Sequence, residues 1–575
     1  MKHLMIFAIG PVQDFIATAR RSRDLWYGSW MLSELSKAAA RKIGELSPAG
    51  KLIFPYPSKP EALQPASGFN APNKIVAVID GNPKSIGEII RDAVKTRLGE
   101  LWADAHSHVK GGIDDTLAQK QINDLLEFYW ISVPYDEGKD SYSSGRNSAE
   151  ALFAARKVTR NFDQAIGSSV PKSSLDGARE SVIPKQEYPE RKDTEDVKKK
   201  KIEKLYKHYH ARQGEQLSGV DILKRLGRLD NTPEFKSTSD MAAIPFIQAL
   251  DNDGGRGQKL LNQIKALLPS DADILDRANE GLIFESRFAD SFPSQEISDI
   301  RDKFTNLLKG LPKPNPYYAL LAADGDNMGV VIDAQTDSQA HRDLSQALSE
   351  FALRAPGLVK AGAGFLIYAG GDDVLAYLPL HTALGVAREL EEAFKKKMQG
   401  FKATDKKGDE ITPTLSIGIA VTHHLEPLAD ALELARKAEK EAKTVPGKNG
   451  LAIIVSKRSG ADRAIKDKFA VLNVRMKKLI QFSESDAISA GAAYELQNLH
   501  RDLSKTNIPP EGQAKEALRI ISRKREAGGE AEIKEKVLDD FKQWIETEKI
   551  FLDELALEMI IANLFATAED TKEAK

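Results

Sequence analysis

Between residues 317 and 456, short apolar runs alternate with longer stretches whose apolar positions recur every three or four residues. Short apolar runs predict buried strands, and the longer spacing predicts helices that bury one face. The predicted strands cover residues 317–323, 364–369, 374–378, 414–421 and 451–455. The predicted helices cover residues 338–355, 382–399 and 426–443. This order of strands and helices predicts an α+β fold.

The beginning of the chain shows a looser version of the same order. Its predicted strands cover residues 4–9, 51–57, 74–79 and 127–133, with a helix over 83–108. In this comparison residues 52–57 correspond to 366–371, and residues 74–79 correspond to 414–420. The first copy has Gly10-Pro11-Val12 where the second has Asp324-Gly325-Asp326. A repeat in which one copy lacks the acids predicts one catalytic unit and one that binds or supports.

The remaining chain is predicted to be mostly helical. Residues 311–316 contain three prolines and form a stiff linker. Residues 461–568 lack strong strand-type runs and contain amphipathic stretches. We therefore predict four domains: a degenerate copy over 1–145, a mostly helical middle domain over 146–312, a complete copy over 313–460 and a helical C-terminal domain over 461–575.

Composition narrows the classes of function. The 575 residues include no cysteine, which removes disulfides, thiolate nucleophiles and thiolate zinc sites. A formal charge of −2 does not indicate a general nucleic-acid binder, although local basic segments remain candidates. Residues 20–23 and 198–204 are such candidates, and a solvated face or a partner protein explains them as well. The chain has neither a membrane-length apolar run nor a signal-peptide pattern, so we expect a cytoplasmic protein without membrane contact.

Two acidic motifs follow predicted strands in the second copy. Asp324 and Asp326 are two residues apart, so they share a face of an extended backbone. Gly370-Gly371-Asp372-Asp373 separates two strands, where the glycines allow a tight turn with both carboxylates at its tip. Crowded carboxylates cost free energy unless a cation binds them. This order is expected of a palm-type nucleotidyl transferase, in which acids on neighbouring strands hold two magnesium ions.

Further motifs indicate a particular family of palm-type proteins. The chain opens with Gly10-Pro11-Val12-Gln13-Asp14-Phe15-Ile16 and continues through residues 19–29 with Ala-Arg-Arg-Ser-Arg-Asp-Leu-Trp-Tyr-Gly-Ser. Together with Asp324-Gly325-Asp326-Asn327-Met328-Gly329, the Gly-Gly-Asp-Asp hairpin and residues 223–225 and 237–240, these motifs resemble the large, polymerase-like subunit of type III-B CRISPR effector complexes. The palm of that family is also similar to diguanylate cyclases, a pattern that residues 416–420 and Gly447-Lys448-Asn449 fit.

The resemblance implies both a fold and an activity. The implied fold is two ferredoxin-like palm (nucleotidyl cyclase) domains with a helical insertion and a helical C-terminal domain. The implied activity is the synthesis of cyclic oligoadenylates from ATP when the complex captures target RNA. The implied partners are ATP, guide RNA, target RNA and the other type III-B subunits, within an antiviral ribonucleoprotein. The implied cofactor is Mg²⁺ or Mn²⁺.

Roles for individual residues follow from adenylyl transfer, in which a 3′-hydroxyl attacks the α-phosphate of another ATP. Asp324 and Asp372 are the expected metal-bridging ligands, and Asp373 completes the metal site or helps to deprotonate the hydroxyl. The expected nucleotide-binding residues are Gly325, Asp326, Gly370, Gly371, Lys443 and Lys448. Lys443 and Lys448 would neutralise the triphosphate. The sequence leaves open whether Asp326 faces this site or turns away.

The sequence departs from the family in two places. Many relatives carry an HD nuclease domain, but none of the ten histidines here is followed by Asp, so we expect no DNase activity from this chain. Relatives often carry zinc-binding cysteines in the stretch equivalent to residues 172–177, where this chain has serine and aspartate. We therefore expect no zinc there, and a loop held by other contacts.

Two other classes of function stay open. A stand-alone cyclase would make a cyclic dinucleotide, although it would not need the extra helical and degenerate-palm mass. A scaffold that caps the guide RNA would leave the palm idle, although an idle site has no physical reason to crowd acids together.

Overall fold

The structure is a computed structural model that describes residues 1–46, 50–137, 140–159, 170–229, 235–267, 279–287, 298–404, 407–524 and 531–569. Its strands are β1 (Lys2–Gly10), β2 (Lys51–Phe54), β3 (Lys74–Asp80), β4 (Glu127–Pro134), β5 (Tyr317–Asp326), β6 (Phe365–Gly370), β7 (Asp373–Leu378), β8 (Ala403–Thr404), β9 (Glu410–Ile411), β10 (Thr414–His423), β11 (Gly450–Val455) and β12 (Arg463–Lys468). Its α-helices are Gln13–Ala17, Ser22–Glu45, Pro83–Ser107, Asp115–Leu125, Tyr142–Val158, Glu195–Tyr209, Gly219–Leu226, Thr238–Asn252, Arg256–Lys265, Ser298–Leu307, Met328–Asp333, Ser338–Ala361, Ala383–Met398, Leu428–Lys443, Phe469–Glu484, Gly491–Leu503, Pro510–Lys524, Ala531–Lys542 and Leu552–Ala566. Across these ranges, we find no helix with both the length and the apolar character needed to cross a membrane.

The N-terminal sheet has the strand order β2-β3-β1-β4. Its central strand β1 is apolar on both faces, and helices cover each face. Met5 and Phe7 join the core beneath the helices Ser22–Glu45 and Pro83–Ser107. Leu4 and Ile6 belong to a separate cluster with side chains of the helix Tyr142–Val158. This order of antiparallel strands is the ferredoxin-like arrangement expected from the sequence.

The second sheet extends the same arrangement to six strands, in the order β12-β11-β10-β5-β7-β6. Side chains such as Leu321 and Leu415 join one core with the helices Ser338–Ala361 and Ala383–Met398. The opposite face is covered by the helix Leu428–Lys443, which packs on β10, β11 and β5. The predicted α+β fold with two ferredoxin-like sheets is therefore confirmed.

The register of the two sheets corrects the predicted match between the repeats. β3 lies between β1 and β2, which is the position of β7 in the second sheet, whereas β4 occupies the position of β10. The prediction that residues 74–79 correspond to 414–420 is therefore wrong. The long connection between β2 and β3, which replaces the tight hairpin of the second copy, concealed this equivalence.

The same register also shows which residues of the first sheet correspond to the acidic motif Asp324-Gly325-Asp326 of the second. The last residue of β1, Gly10, pairs with the first residue of β4, just as Asp326 pairs with the first residue of β10. Ala8 therefore stands where the second copy has Asp324, and the predicted equivalence of Gly10-Pro11-Val12 with the acidic motif is wrong by two residues.

A further strand lies where only helices were predicted. β12 pairs antiparallel with β11 at the edge of the second sheet. Its sequence, Arg-Ala-Ile-Lys-Asp-Lys, offers Ile465 as its only fully buried side chain. An edge strand rich in charge gives almost no apolar alternation, so the pattern could not reveal it.

Contacts between the two palms fix the first against the second. The helix Ser338–Ala361 of the second palm lies against β2 of the first. Ser338 Oγ accepts a hydrogen bond from Lys51 Nζ at 2.7 Å, and Arg342 Nε donates to the carbonyl oxygen of Leu52 at 2.7 Å. The first palm therefore supports the helix that follows the acidic motif of the second.

A buried ion network joins the opening signature to residues 223–225. The Arg225 guanidinium donates to both carboxylate oxygens of Asp24, at 3.0 and 2.9 Å, and to Glu215 Oε2 at 3.0 Å. None of these three side chains is more than 4% exposed. Two motifs far apart in sequence are thus joined by one buried ionic contact, between Arg225 and Asp24.

The basic segments are mostly engaged within the protein. Arg23 donates to the carbonyl oxygens of Lys224, Arg225 and Gly227, and Arg21 lies 3.7 Å from Glu215. In the second segment, side-chain ion pairs join Lys198 to Glu195, Lys201 to Asp193 and Lys204 to Glu187. These contacts favour a structural role over RNA contact for most of both segments.

The loop at residues 172–177 is held by hydrogen bonds. Ser173 Oγ donates to Asp221 Oδ2 at 2.7 Å and accepts from the backbone N–H groups of Leu175 and Asp176. Asp176 in turn accepts from the N–H groups of Ala178 and Arg179. These hydrogen bonds are the contacts that hold the loop at the position where relatives often have zinc-binding cysteines.

Replacing Arg225 with Met is expected to destabilise the N-terminal half strongly. The substitution leaves Asp24 buried without the guanidinium that binds both its oxygens, and leaves Glu215 with only the more distant Arg21. Breaking a buried ion pair in this way typically costs about 3–5 kcal/mol. The measurement is the midpoint of urea unfolding followed by tryptophan fluorescence. Arg519→Met removes an exposed pair with Glu516 and is the control, for which little change is expected. Equal midpoints for the two variants would contradict the role given to this network.

Candidate functional site

The Gly-Gly-Asp-Asp motif forms the predicted hairpin between β6 and β7. Gly370 pairs with Asp373, so the turn consists of Gly371 and Asp372. Gly371 has φ of +77°, a conformation that favours glycine, whereas Gly370 continues the strand. One of the two glycines is therefore required by the turn, and both acids leave the hairpin at its tip.

Gly325 allows the end of β5 to meet this turn. The pairing of Ala323 with Val374 places the end of β5 alongside the start of β7. A Cβ atom at Gly325 would lie 2.7 Å from Asp372 Cβ and 2.8 Å from its Oδ2. A larger residue would therefore push the hairpin away from the strand, and glycine at this position brings the two acidic motifs into contact.

Three carboxylates converge at this contact. Single oxygen atoms of Asp324, Asp372 and Asp373 all lie within 4.8 Å of one another. Burial raises the pKa of Asp372, and burial together with repulsion from Asp372 and Glu439 raises the pKa of Asp373. Three crowded oxygen ligands fit a hard divalent cation such as Mg²⁺ or Mn²⁺. These are the residues that the sequence proposed as metal ligands, and the structure brings all three together.

The helix Leu428–Lys443 lies beside the three carboxylates and places a lysine next to them. The Lys443 ammonium contacts Asp324 Oδ2 and lies 3.0 Å from Glu439 Oε1. Burial, with repulsion from Lys448, lowers the pKa of Lys443. The lysine thus balances part of the negative charge of the acids, and Lys448 lies close enough to act on the same region.

Two glycines let this helix lie directly on the sheet. A Cβ at Gly418 of β10 would lie 2.0 Å from the backbone nitrogen of Glu439. A Cβ at Gly450 of β11 would lie 2.1 Å from the carbonyl oxygen of Ala442. Without side chains at these points, the last turns of the helix approach the sheet and bring Glu439 and Lys443 to the acids.

Asp326 lies outside the group of three. Its side chain is fully buried, and its Oδ2 accepts hydrogen bonds from Thr414 Oγ1 and Ser416 Oγ, both at 2.8 Å. The same oxygen accepts from the backbone N–H of Asn449 at 3.0 Å. The structure therefore places Asp326 beneath the turn that carries Lys448, rather than beside Asp372.

Glu439 is the site residue that the sequence analysis missed. Its carboxylate pairs with Lys443 and its charge acts on Asp373. Burial raises the pKa of Glu439 itself. The available signal was its spacing of four residues before Lys443, which places both side chains on one face of the helix. That spacing alone is common on solvated helices, so it did not single out Glu439.

A curated protein resembles this chain in sequence, and solved structures resemble it in fold. The curated CRISPR system Cmr subunit Cmr2 of Pyrococcus furiosus is 26% identical, over 80% of this chain and 62% of its own length. A chain of the type III-B Cmr-beta complex, seen by cryo-EM in the apo state, superposes with a TM-score of 0.64 at 14% identity, over 92% of this chain and 78% of that chain. The same complex bound to cognate target RNA gives 0.63 at 14% identity, over 91% and 78%. At this identity the two superpositions show the shared fold.

Family models place the resemblance on particular residues. The N-terminal model of the CRISPR-associated protein Cmr2 matches residues 4–107, which contain the opening signature. The model of the second palm domain of Cas10/Cmr2 matches residues 317–452, which contain both acidic motifs. The resemblance to the large subunit of type III-B CRISPR effector complexes is thus confirmed, and it covers both the opening signature and the acidic motifs.

Proposed function

We propose that this chain is the subunit of a type III-B CRISPR effector complex that makes cyclic oligoadenylates from ATP when the complex captures target RNA. The observation that carries the proposal is the convergence of Asp324, Asp372 and Asp373 in a Cas10/Cmr2 palm. A bare cluster of crowded, half-buried carboxylates is unfavourable, so its presence at a palm hairpin indicates cation-dependent chemistry.

The chain's own residues would bind and orient the reactants. Asp324 and Asp372 would hold the divalent cations, and Asp373 would complete the set. Such cations, when bound, activate the attacking hydroxyl and stabilise charge on the triphosphate. Lys443 exchanges its contact with Asp324 for the triphosphate, and Glu439 keeps the ammonium near the site during this exchange. Lys448 supplies a second positive charge on the same side.

The reaction is a series of nucleotidyl transfers. In each step the 3′-hydroxyl of one nucleotide attacks the α-phosphorus of another, the new P–O bond forms and pyrophosphate leaves. The hydroxyl proton passes to a carboxylate or to solvent. In the last step the terminal 3′-hydroxyl attacks the α-phosphate at the 5′ end of the same molecule and closes the ring.

The proposed partners come from the relatives. The Pyrococcus furiosus relative is a Cmr subunit. A chain with the same fold belongs to a type III-B Cmr-beta complex that has been solved with cognate target RNA bound. We extend this to the present chain and propose that it assembles with other type III-B subunits around guide RNA, and that target RNA triggers the synthesis.

The direct test uses the assembled complex with labelled ATP, with and without target RNA, followed by sizing of the products. Cyclic oligomers of adenylate that form only with target RNA would support the proposal. Cyclic dinucleotides formed by the chain alone would favour the stand-alone cyclase instead. An assembled complex that forms no product from ATP would leave only the scaffold.

The double substitution Asp372→Ala with Asp373→Ala is expected to abolish oligoadenylate synthesis while leaving assembly intact. Loss of two cation ligands removes several kcal/mol of transition-state stabilisation, a rate loss of about a thousandfold or more. Product yield and subunit co-purification are measured together. Glu433→Ala, an exposed acid on the helix Leu428–Lys443, is the control. Normal yield from the double variant would refute the assignment.

Replacing Lys443 with Ala is expected to raise the KM for ATP by about 10- to 100-fold, the value of one charge-assisted hydrogen bond to a phosphate. Steady-state kinetics at saturating Mg²⁺ measure the effect. Lys437→Ala on the same helix removes only an exposed contact with Asp462 and is the matched control. An unchanged KM would remove Lys443 from triphosphate binding.

Binding of Mn²⁺ is expected to strengthen as the pH rises from 6 to 8. Because the pKa values of Asp372 and Asp373 are raised, protons remain on these carboxylates at a higher pH than usual and compete with the metal. Titration of the purified chain with Mn²⁺, followed by electron paramagnetic resonance, measures this dependence. An affinity that does not change with pH would show that these carboxylates are already ionised at pH 6.

A further inference from the structure

The turn after the helix Leu428–Lys443 has an unusual backbone. Three successive residues, Gly447, Lys448 and Asn449, have φ of +72°, +54° and +51°. Glycine adopts such angles freely and asparagine tolerates them, but lysine does so only when surrounding contacts hold it. Strained backbone that persists next to a candidate active site requires an explanation in terms of those contacts.

Asp326 provides the contact to the centre of this turn. Its Oδ2 accepts the backbone N–H of Asn449 at 3.0 Å and the hydroxyl of Ser416 at 2.8 Å. Ser416 Oγ in turn accepts the backbone N–H of Gly450 at 3.2 Å. The carboxylate therefore ties two consecutive amides of the turn to the sheet, one directly and one through a hydroxyl.

Further contacts close the other side of the turn. The carbonyl oxygen of Lys448 accepts from Lys468 Nζ at 2.7 Å, and the carbonyl oxygen of Asn449 accepts from the N–H of Phe469 at 2.8 Å. The backbone of Lys448 is thus held on both sides, and its ammonium is close enough to Lys443 to lower the pKa of that lysine.

Asp326 also belongs to the strand that carries Asp324. The two residues are separated by Gly325 alone, so the turn bearing Lys448 is tied through one carboxylate to the strand that ends at the acidic cluster. Any movement of the turn would break bonds to a fully buried charge. This arrangement fixes the distance between the acids and Lys448.

We propose that Asp326 is a positioning residue, which holds the strained turn so that Lys448 meets the triphosphate of the nucleotide. The inference rests on the proposed nucleotidyl transfer and changes the role of Asp326 from a nucleotide contact to a support of one. The recognised chemical class is a polyphosphate, bound by Lys448 opposite the cations of the acidic cluster.

A direct role is the rival explanation. Asp326 Oδ1 has no hydrogen-bond partner among the described residues, so this oxygen is the atom through which Asp326 would bind a cation or nucleotide itself. The two roles differ in one consequence. A positioning residue acts through Lys448 and loses its effect when Lys448 is absent, whereas a direct ligand does not.

The first test is independent of activity. Amide hydrogen exchange of the full chain is measured by mass spectrometry over peptides that contain residues 447–450. In Asp326→Ala and in the milder Asp326→Asn, exchange in this segment is expected to rise at least tenfold. Asp343→Asn, an exposed acid in the same palm, is the control. Unchanged exchange in a folded Asp326→Asn variant would overturn the proposal.

The second test is a double-mutant cycle on the KM for ATP in the assembled complex. Lys448→Ala, Asp326→Asn and the double variant are compared. The positioning role predicts that the double variant resembles Lys448→Ala alone, whereas multiplied effects would overturn it in favour of direct binding. If the wild-type complex forms no product, the proposed function fails. The cycle is then run on the Kd for labelled ATP, and the exchange result still decides whether Asp326 holds the turn.

Discussion

The second palm depends on one close approach, between the backbone of Gly325 and the side chain of Asp372. The 2.7 Å clearance at the missing Cβ is too small for any other residue. Strand pairing alone would bring the hairpin near β5, but the absence of a side chain lets the carboxylates come within 4.8 Å of one another. The geometry of the acids is therefore set by the backbone, which is rigid, and not by flexible side chains.

The crowded carboxylates repel one another, and a neighbouring helix supplies positive charge that reduces this repulsion. The helix Leu428–Lys443 lies on the sheet at Gly418, and Lys443 in its last turn contacts Asp324. Glu439 holds the same ammonium from its other side. A lysine held in this way offsets part of the negative charge of the acids. Burial raises the pKa of Asp372, and burial together with repulsion from Asp372 and Glu439 raises the pKa of Asp373.

Apolar patterning was sufficient to predict the strands, helices and hairpin of the second palm, because each element there is long, buried and regular. The acids at its centre were also predictable, since two Asp motifs at the ends of adjacent strands have few structural explanations. Patterning failed for β12, whose sequence is mostly charged, and for the position of β3. It gave no sign of Glu439 or of the buried partners of Asp326, because those roles arise from packing between segments far apart in sequence.

The first palm shows why the fold alone does not make a metal site. In its register Ala8 takes the place of Asp324, and Lys74, the first residue of β3, takes the place of Asp373. Lys74 is paired with Glu150 of the helix Tyr142–Val158 at 2.6 Å. An apolar residue and a paired cation thus stand where the second sheet has two of its three carboxylates. The same topology presents β2, whose residues Lys51 and Leu52 contact the helix Ser338–Ala361.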